Sequence, residues 1–403
     1  MSLVREMTRT ALAAALLGAA MPALAQNVVD DNPETRGIDP VTLAASDAEA
    51  LVAETPDFAA RATGAEAERV RDKLGRHVAE FVAGYPWKAF HNTLGISGYE
   101  AYFDHPDEMV YVLAIALPQL EAGTAAAVKA LVAAQLAETP PYAVQGFASA
   151  EGRPRERYDV PEEVRIKRRG KANGALGVYA LWAWCHWSGD RDAALAHWNA
   201  VKERMRPVLE KAYEFDITKG DYVNDEAERL NADLAGLVGL ARLARVSGDA
   251  TAQKAAKAKA LELLTLRVNL ERVNPNILER TRSASKTLHI AKLARYCRLA
   301  PEVGRAVGAL SDGTGRAHLA AFREMRNGWH LALAERLIGG ENYVSPPHMG
   351  RALMAGTTFI EELPGDRLLT FVDIPWCKGD FYFIEKCAYA LWAAGGRPWK
   401  KVD

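Results

Sequence analysis

Residues 173–190 read NGALGVYALWAWCHWSGD, and residues 231–249 read NADLAGLVGLARLARVSGD. Each copy opens on an asparagine, runs through an apolar helical stretch and closes on Ser-Gly-Asp before a second helix. Asparagine is a favoured N-cap, glycine ends a helix by taking a left-handed backbone, and aspartate caps the helix that follows. The copies start 58 residues apart, and a helix–turn–helix unit that recurs signals an array of hairpins. The apolar stretches carry few polar faces, as expected of helices covered on both sides.

The pattern extends outward from these two units. Residues 107–119 and 123–138 flank Glu121-Ala122-Gly123 and read as a further hairpin. Helical periodicity returns at 249–267, 284–299, 316–338, 347–362 and 379–394. Alternating Val/Ile runs are nearly absent, which leaves little room for a sheet and makes the fold class all-α. An open solenoid uses shorter repeats, roughly 34–45 residues, with polar caps. A closed toroid needs longer units, because loops at one mouth must join outer helices to inner ones. The 58-residue spacing and the long loops expected at 139–172, 213–230 and 268–283 favour an (α/α)6–7 toroid, and loops of that length in a compact domain are usually functional.

Residues 1–25 read as a secretory signal: Arg5 and Arg9, an apolar run from Ala11 to Leu24, and Ala23-Leu24-Ala25 before Gln26. The run is too short to span a bilayer, so the expected location is periplasmic or secreted, with no membrane insertion. Residues 26–65 are then an N-terminal extension and 66–403 one catalytic domain. Without the signal the chain carries 48 basic and 50 acidic residues, a balance that argues against nucleic-acid binding. Cys185, Cys297, Cys377 and Cys387 permit a disulfide in an oxidising compartment, but their spacing leaves the pairing open. No HExxH, paired CxxC or EF-hand loop occurs, so neither a metal nor an organic cofactor is expected.

The polar and aromatic residues that suit a sugar ring gather in the expected loops. Residues 165–171 read RIKRRGK and lead into the Asn173 helix, with Arg168, Arg169 and Lys171 in the run and Arg153, Arg155 and Arg157 upstream. Cations at a concave mouth concentrate an anionic ligand, and arginine clamps a carboxylate bidentately. The same run also fits a solvated loop, since five acids at 151–163 offset it. Arg282, Lys286 and His289 share one helical face by spacing, and Tyr222, Tyr343, His348, Arg351 and Trp376 fall in other loops.

These groups fit β-elimination on a uronic-acid polymer. The proton beside the carboxylate becomes removable only when the carboxylate is neutralised and the developing enolate stabilised. Asn173, Asn231 and Arg282 are the candidates for that task. His289 and a tyrosine, Tyr222 or Tyr343, are candidates to take and return the protons. Arg168, Arg169, Lys171, Lys286, His348, Arg351 and Trp376 would hold the anionic polysaccharide or oligosaccharide substrate. Hydrolysis would instead use two carboxylates, and Asp104, Asp107, Asp225, Glu226, Asp373 and Asp380 are available, although Asp107 also looks like a helix cap. A non-catalytic glycan-binding helical-repeat protein is the third possibility.

With its Asn…Ser-Gly-Asp hairpins, long preceding loops and closing segment WCKGDFYFIEKCAYALW (376–392), the chain resembles the α/α-toroid carbohydrate enzymes. These include six-hairpin glycosidases and several polysaccharide lyases. The likeness covers most of residues 66–394, and it looks most like secreted lyases acting on alginate or glucuronan. That resemblance implies an asparagine neutraliser, a histidine, a tyrosine and an arginine assisting the tyrosine, with Asn173, His289 and Arg282 in the matching places. The Asn-Asn-His-x-Tyr stretch of some such lyases is absent; His91-Asn92 and Asn342-Tyr343 are the nearest pieces.

Overall fold

A computed structural model describes residues 40–84, 106–143, 174–213, 220–272, 295–296, 299–325, 354–370 and 381–402. The expected signal at 1–25 lies outside the described residues, as do Cys297 and Cys377.

The fold is mostly helical. Its described elements are α1 (Ala45–Ala53), β1 (Glu54–Pro56), α2 (Ala65–Gly84), α3 (Pro106–Ala116), α4 (Ala122–Glu138), α5 (Gly174–Ser188), α6 (Arg191–Glu210), α7 (Gly220–Val246), α8 (Ala250–Arg272), α9 (Pro301–Leu310), α10 (Thr314–Met325), α11 (Gly365–Thr370), α12 (Phe381–Ala394) and β2 (Trp399–Lys401). Residues 354–359 form a further helical stretch between α10 and α11.

The two Ser-Gly-Asp turns form as the sequence leads one to expect. Gly189 and Gly248 take φ +76° and +72°, the left-handed region that glycine enters without a Cβ penalty. Asp190 then accepts from Ala193 N at 3.0 Å, and Asp249 from Ala252 N at 3.0 Å, capping α6 and α8. Each turn therefore reverses one buried helix into one partly exposed helix.

Burial separates two layers. Every residue from Gly174 to Trp184 of α5 is buried, and α3, α7 and α12 carry similar unbroken buried runs. By contrast α2, α4, α6 and the first half of α8 alternate buried and exposed positions, while residues 266–271 of α8 are all buried. The inner helices approach closely where glycine removes the side chain. A Cβ on Gly236 of α7 would stand 2.7 Å from the Ala175 carbonyl of α5, and one on Gly239 would stand 2.8 Å from the Tyr179 Cα. Among the inner elements α12 packs on α3, α3 on α5 and α5 on α7, while α2 packs on α4, α5 on α6 and α7 on α8.

Two short strands far apart in the sequence meet at one end of the helices. β1 pairs antiparallel with β2, Glu54 opposite Lys401 and Pro56 opposite Trp399. Arg242 of α7 donates to the Val52 and Glu54 carbonyls at 3.0 and 2.6 Å, and Arg245 donates to the Val402 carbonyl at 2.6 Å. Phe58 then enters the core and meets Trp187, Tyr389 and Trp392 at centroid distances of 5.7, 6.0 and 6.2 Å. Its carbonyl accepts from Gln119 at 2.6 Å, in the turn that follows α3. These contacts all lie where the inner helices end and the short turns begin.

Several boundaries differ from the sequence expectation. Residues 213–230 are not one long loop, because α7 begins at Gly220. Its apolar pattern is masked there by DYVNDEAER, a polar stretch that still contains good helix formers. Likewise α8 continues to Arg272 rather than ending at 267, because Arg267 and Glu271 satisfy one another inside the protein. Within the expected N-terminal extension, Leu51, Val52, Phe58 and Ala62 pack into the hydrophobic core.

Candidate functional site

Two groups of buried polar side chains stand out. The first begins at the start of α3. Asp107 and Glu108 occupy its first turn and are fully buried. Asp107 is thus inside the helix rather than capping it, and four residues on, along the same face, comes Tyr111. The Tyr111 hydroxyl meets the Tyr389 hydroxyl of α12 at 2.9 Å, and Tyr389 donates to Glu385 Oε1 at 2.8 Å. The Tyr111 ring also rests on Tyr179 of α5, centroids 5.5 Å apart. Tyr179 donates to Glu302 Oε2 at 2.6 Å, and Arg242 holds Glu302 Oε1 at 2.8 Å while lying 4.0 Å from the Trp182 ring centroid. Burial first, then the Glu302 carboxylate, pushes the Tyr179 hydroxyl well above the ordinary phenol range. These tyrosines and carboxylates form the floor of the inner-helix layer, with Phe359 edge-on to Tyr389 at 4.8 Å.

The second group lies between α7, α8, α10 and residues 295–296. Arg267 pairs with Glu271 at 2.8 Å, both side chains at 0 % exposure. Glu271 also takes Tyr296 Oη at 3.2 Å and His318 Nδ1 at 2.9 Å. Burial alone would raise the Glu271 carboxyl, but Arg267, His318 and Arg295 outweigh it and hold the group well below the usual carboxylate range. Burial lowers Arg295, opposed by Glu271.

Asn231 belongs to this second group, which corrects its expected place. It is not a helix cap: eleven residues of α7 precede it. Its amide oxygen accepts from Arg267 Nε at 2.8 Å, and its amide nitrogen donates to the Arg295 carbonyl at 2.8 Å. Both ends of the side chain are thereby engaged inside the protein, at 0 % exposure. An amide so placed braces α7 against its neighbours instead of meeting a substrate carboxylate.

The start of α5 has its own support. Arg204 of α6 lies directly across Gly174, so that any Cβ there would strike its guanidinium. Asp233 of α7 accepts from Tyr213 at 2.8 Å, and Tyr213 is ringed by Lys211, Lys259 and Arg229 at 4.8, 5.1 and 5.5 Å. Burial, followed by Asp233, raises the Tyr213 hydroxyl far above its usual value.

Tyr222 lies on the helical backbone of α7, not in a loop; its side chain is outside the described residues. So are Asn173, Arg282, His289, Tyr343, Arg168, Arg169, Lys171, Lys286, His348, Arg351 and Trp376. The floor residues went unrecognised in the sequence because each is a polar residue inside an apolar run, as in LARLA around Arg242 and FIEKCAYALW around Glu385. A buried polar residue must find a partner, so a lone Arg or Glu in such a run was the available signal. Among the described residues no group of His, Cys, Asp and Glu is arranged to hold a metal ion, and no helix is long and apolar enough to cross a membrane.

Compared with protein-family models, curated proteins and solved structures, the chain matches none.

Proposed function

We propose that the chain is a closed α/α toroid of six hairpins that binds an acidic polysaccharide and cuts it by β-elimination. The neighbour contacts support ring closure. They run from α12 through α3 and α5 to α7, then through the Asn231–Arg295 bond to residues 295–296. From there Tyr296 lies against Gly356, and Phe359 returns to Tyr389 of α12.

The carrying observation is where the short turns lie: the Ser-Gly-Asp turns and the β1–β2 pair fall where the inner helices finish. In the sequence, the expected substrate groups precede inner segments: 144–173 before α5, 273–294 before Arg295, 326–353 before residue 354, and 371–380 before α12. Loops on a rigid scaffold are where function is usually carried, and we place the substrate site on these segments.

In this reading Asn173 and Arg282 neutralise the uronate carboxylate, His289 and Tyr222 or Tyr343 exchange the protons, and the 165–171 run draws in the anionic chain. Asn231 is a brace and takes no part. Supplying alginate or glucuronan to the purified protein gives a rise in ultraviolet absorbance from the conjugated unsaturated uronate. New reducing ends without that absorbance contradict elimination.

One observation favours glycoside hydrolysis as the second reading: Asp107, Glu108 and Glu385 stand on neighbouring inner helices, one turn from the tyrosine floor. A hydrolase loses turnover in Asp107→Asn or Glu385→Gln while keeping its fold. The elimination mechanism keeps turnover in both.

A further inference from the structure

Arg204 of α6 is a charged group that neither buried polar cluster employs. Its guanidinium lies over Gly174, the first residue of α5, so closely that a Cβ there would strike it. Among the described residues Arg204 makes no hydrogen bond and no ion pair, although it is only partly exposed. Burial lowers its guanidinium from the usual value, and Asp233 of α7 opposes that shift without pairing with it. Further cations stand close by. Lys211, Lys259 and Arg229 lie 4.8, 5.1 and 5.5 Å from the centroid of the Tyr213 ring, and the Tyr213 hydroxyl donates to the same Asp233. Lys259 is held by Glu262 at 2.9 Å. Lys211 is exposed and Arg229 partly so, which opens this cluster to solvent.

An arginine so placed is costly unless an anion meets it. Its N–H fork is partly desolvated and unfilled, and an uncompensated charge drawn out of water destabilises a fold. The first turn of a helix carries a partial positive charge, so a guanidinium laid against it adds a charge of the same sign. A methionine would fill the space over Gly174 without either cost. We propose that Arg204 is the anchor of a carboxylate-binding site beside the first turn of α5, with the cations around Tyr213 supplying the attracting field. A carboxylate matches the planar guanidinium fork through paired N–H···O bonds, and it brings the negative charge that this corner lacks. The carboxylate site holds for a lyase, a hydrolase or a binding protein. Only the choice of a sugar acid as the source of that carboxylate rests on the function proposed above.

The test uses the full chain and needs no turnover. Nitrogen-15 spectra of the arginine side chains are recorded at constant ionic strength while sodium acetate, sodium glucuronate or glucose is added. The Arg204 Nε–Hε signal is assigned by its loss in Arg204→Met, which keeps the aliphatic stem and drops the charge. The site predicts saturable shifts of that signal with both carboxylates and none with glucose. Tighter binding of glucuronate supports the site and makes a sugar acid its ligand; equal affinities support it with small carboxylates as the ligand. In Arg204→Met, calorimetric affinity for glucuronate falls by about tenfold or more. Its thermal midpoint without ligand equals or exceeds that of the wild type, because an uncompensated charge has gone. No saturable shift with either carboxylate overturns the proposal, as does an equal shift with glucose. Undiminished affinity in Arg204→Met also overturns it. So does a lowered midpoint or failure to fold in that variant, which marks Arg204 as a structural residue.

Discussion

Glu271 concentrates the residue-scale argument. Its carboxylate is fully buried and held by Arg267, His318 and Tyr296. Removing one member of a buried ion pair leaves the other uncompensated, so Glu271→Gln is expected to cost about 3–5 kcal/mol by denaturant unfolding. The pH dependence follows from the sign of the shift. The folded carboxyl is depressed, so its contribution is complete above the unfolded value of about 4.3 and fades as pH falls from there through the lower folded value. Wild-type stability therefore drops on acidification below that point, and Glu271→Gln flattens this acid limb. A wild type whose stability does not change on acidification contradicts the assignment. Gly177 offers a second residue test. A Cβ there would stand 2.6 Å from Tyr142 N and still closer to the Pro141 backbone, so Gly177→Ala should lower stability by about 1–3 kcal/mol through overpacking. Cysteine gives a third. Burial pushes the Cys185 thiol up to about 12, and Cys387 is fully buried. Both should resist alkylation at neutral pH until the chain unfolds, as peptide mapping by mass spectrometry will show.

At the scale of elements, the terminal segments bear more than their position suggests. Phe58 lies in a loop after a three-residue strand, yet it is 3 % exposed among Trp187, Tyr389 and Trp392. Phe58→Ala should cost about 3–5 kcal/mol, read as a lowered thermal midpoint; a near-neutral result means that the seal does not support the core. The turns and helices were legible because their signals are local. Ser-Gly-Asp specifies both the end of one helix and the cap of the next within three residues. The β1–β2 seal was not legible, since three-residue strands some 340 residues apart leave no periodic trace. The beginning of α7 was hidden for a different reason: its first turns are polar in sequence, and the unbroken buried run of the helix starts at Leu230. Asn231 was misplaced as a consequence, because an asparagine before an apolar run looks the same whether it caps a helix or interrupts one.

For the whole molecule, the sequence conveyed a mostly helical array. It did not convey the tyrosine–carboxylate floor, whose members come from α3, α5, α9 and α12 and meet only after folding. The central claim is that an acidic polysaccharide is cut by elimination. The most direct measurement digests alginate and glucuronan in heavy-oxygen water and weighs the products. Elimination takes no oxygen from solvent, so the products should carry none of the label and should be lighter by one water than hydrolysis fragments. Labelled products contradict the claim and point to the carboxylates of α3 and α12; binding of these polymers without products contradicts any cleaving role.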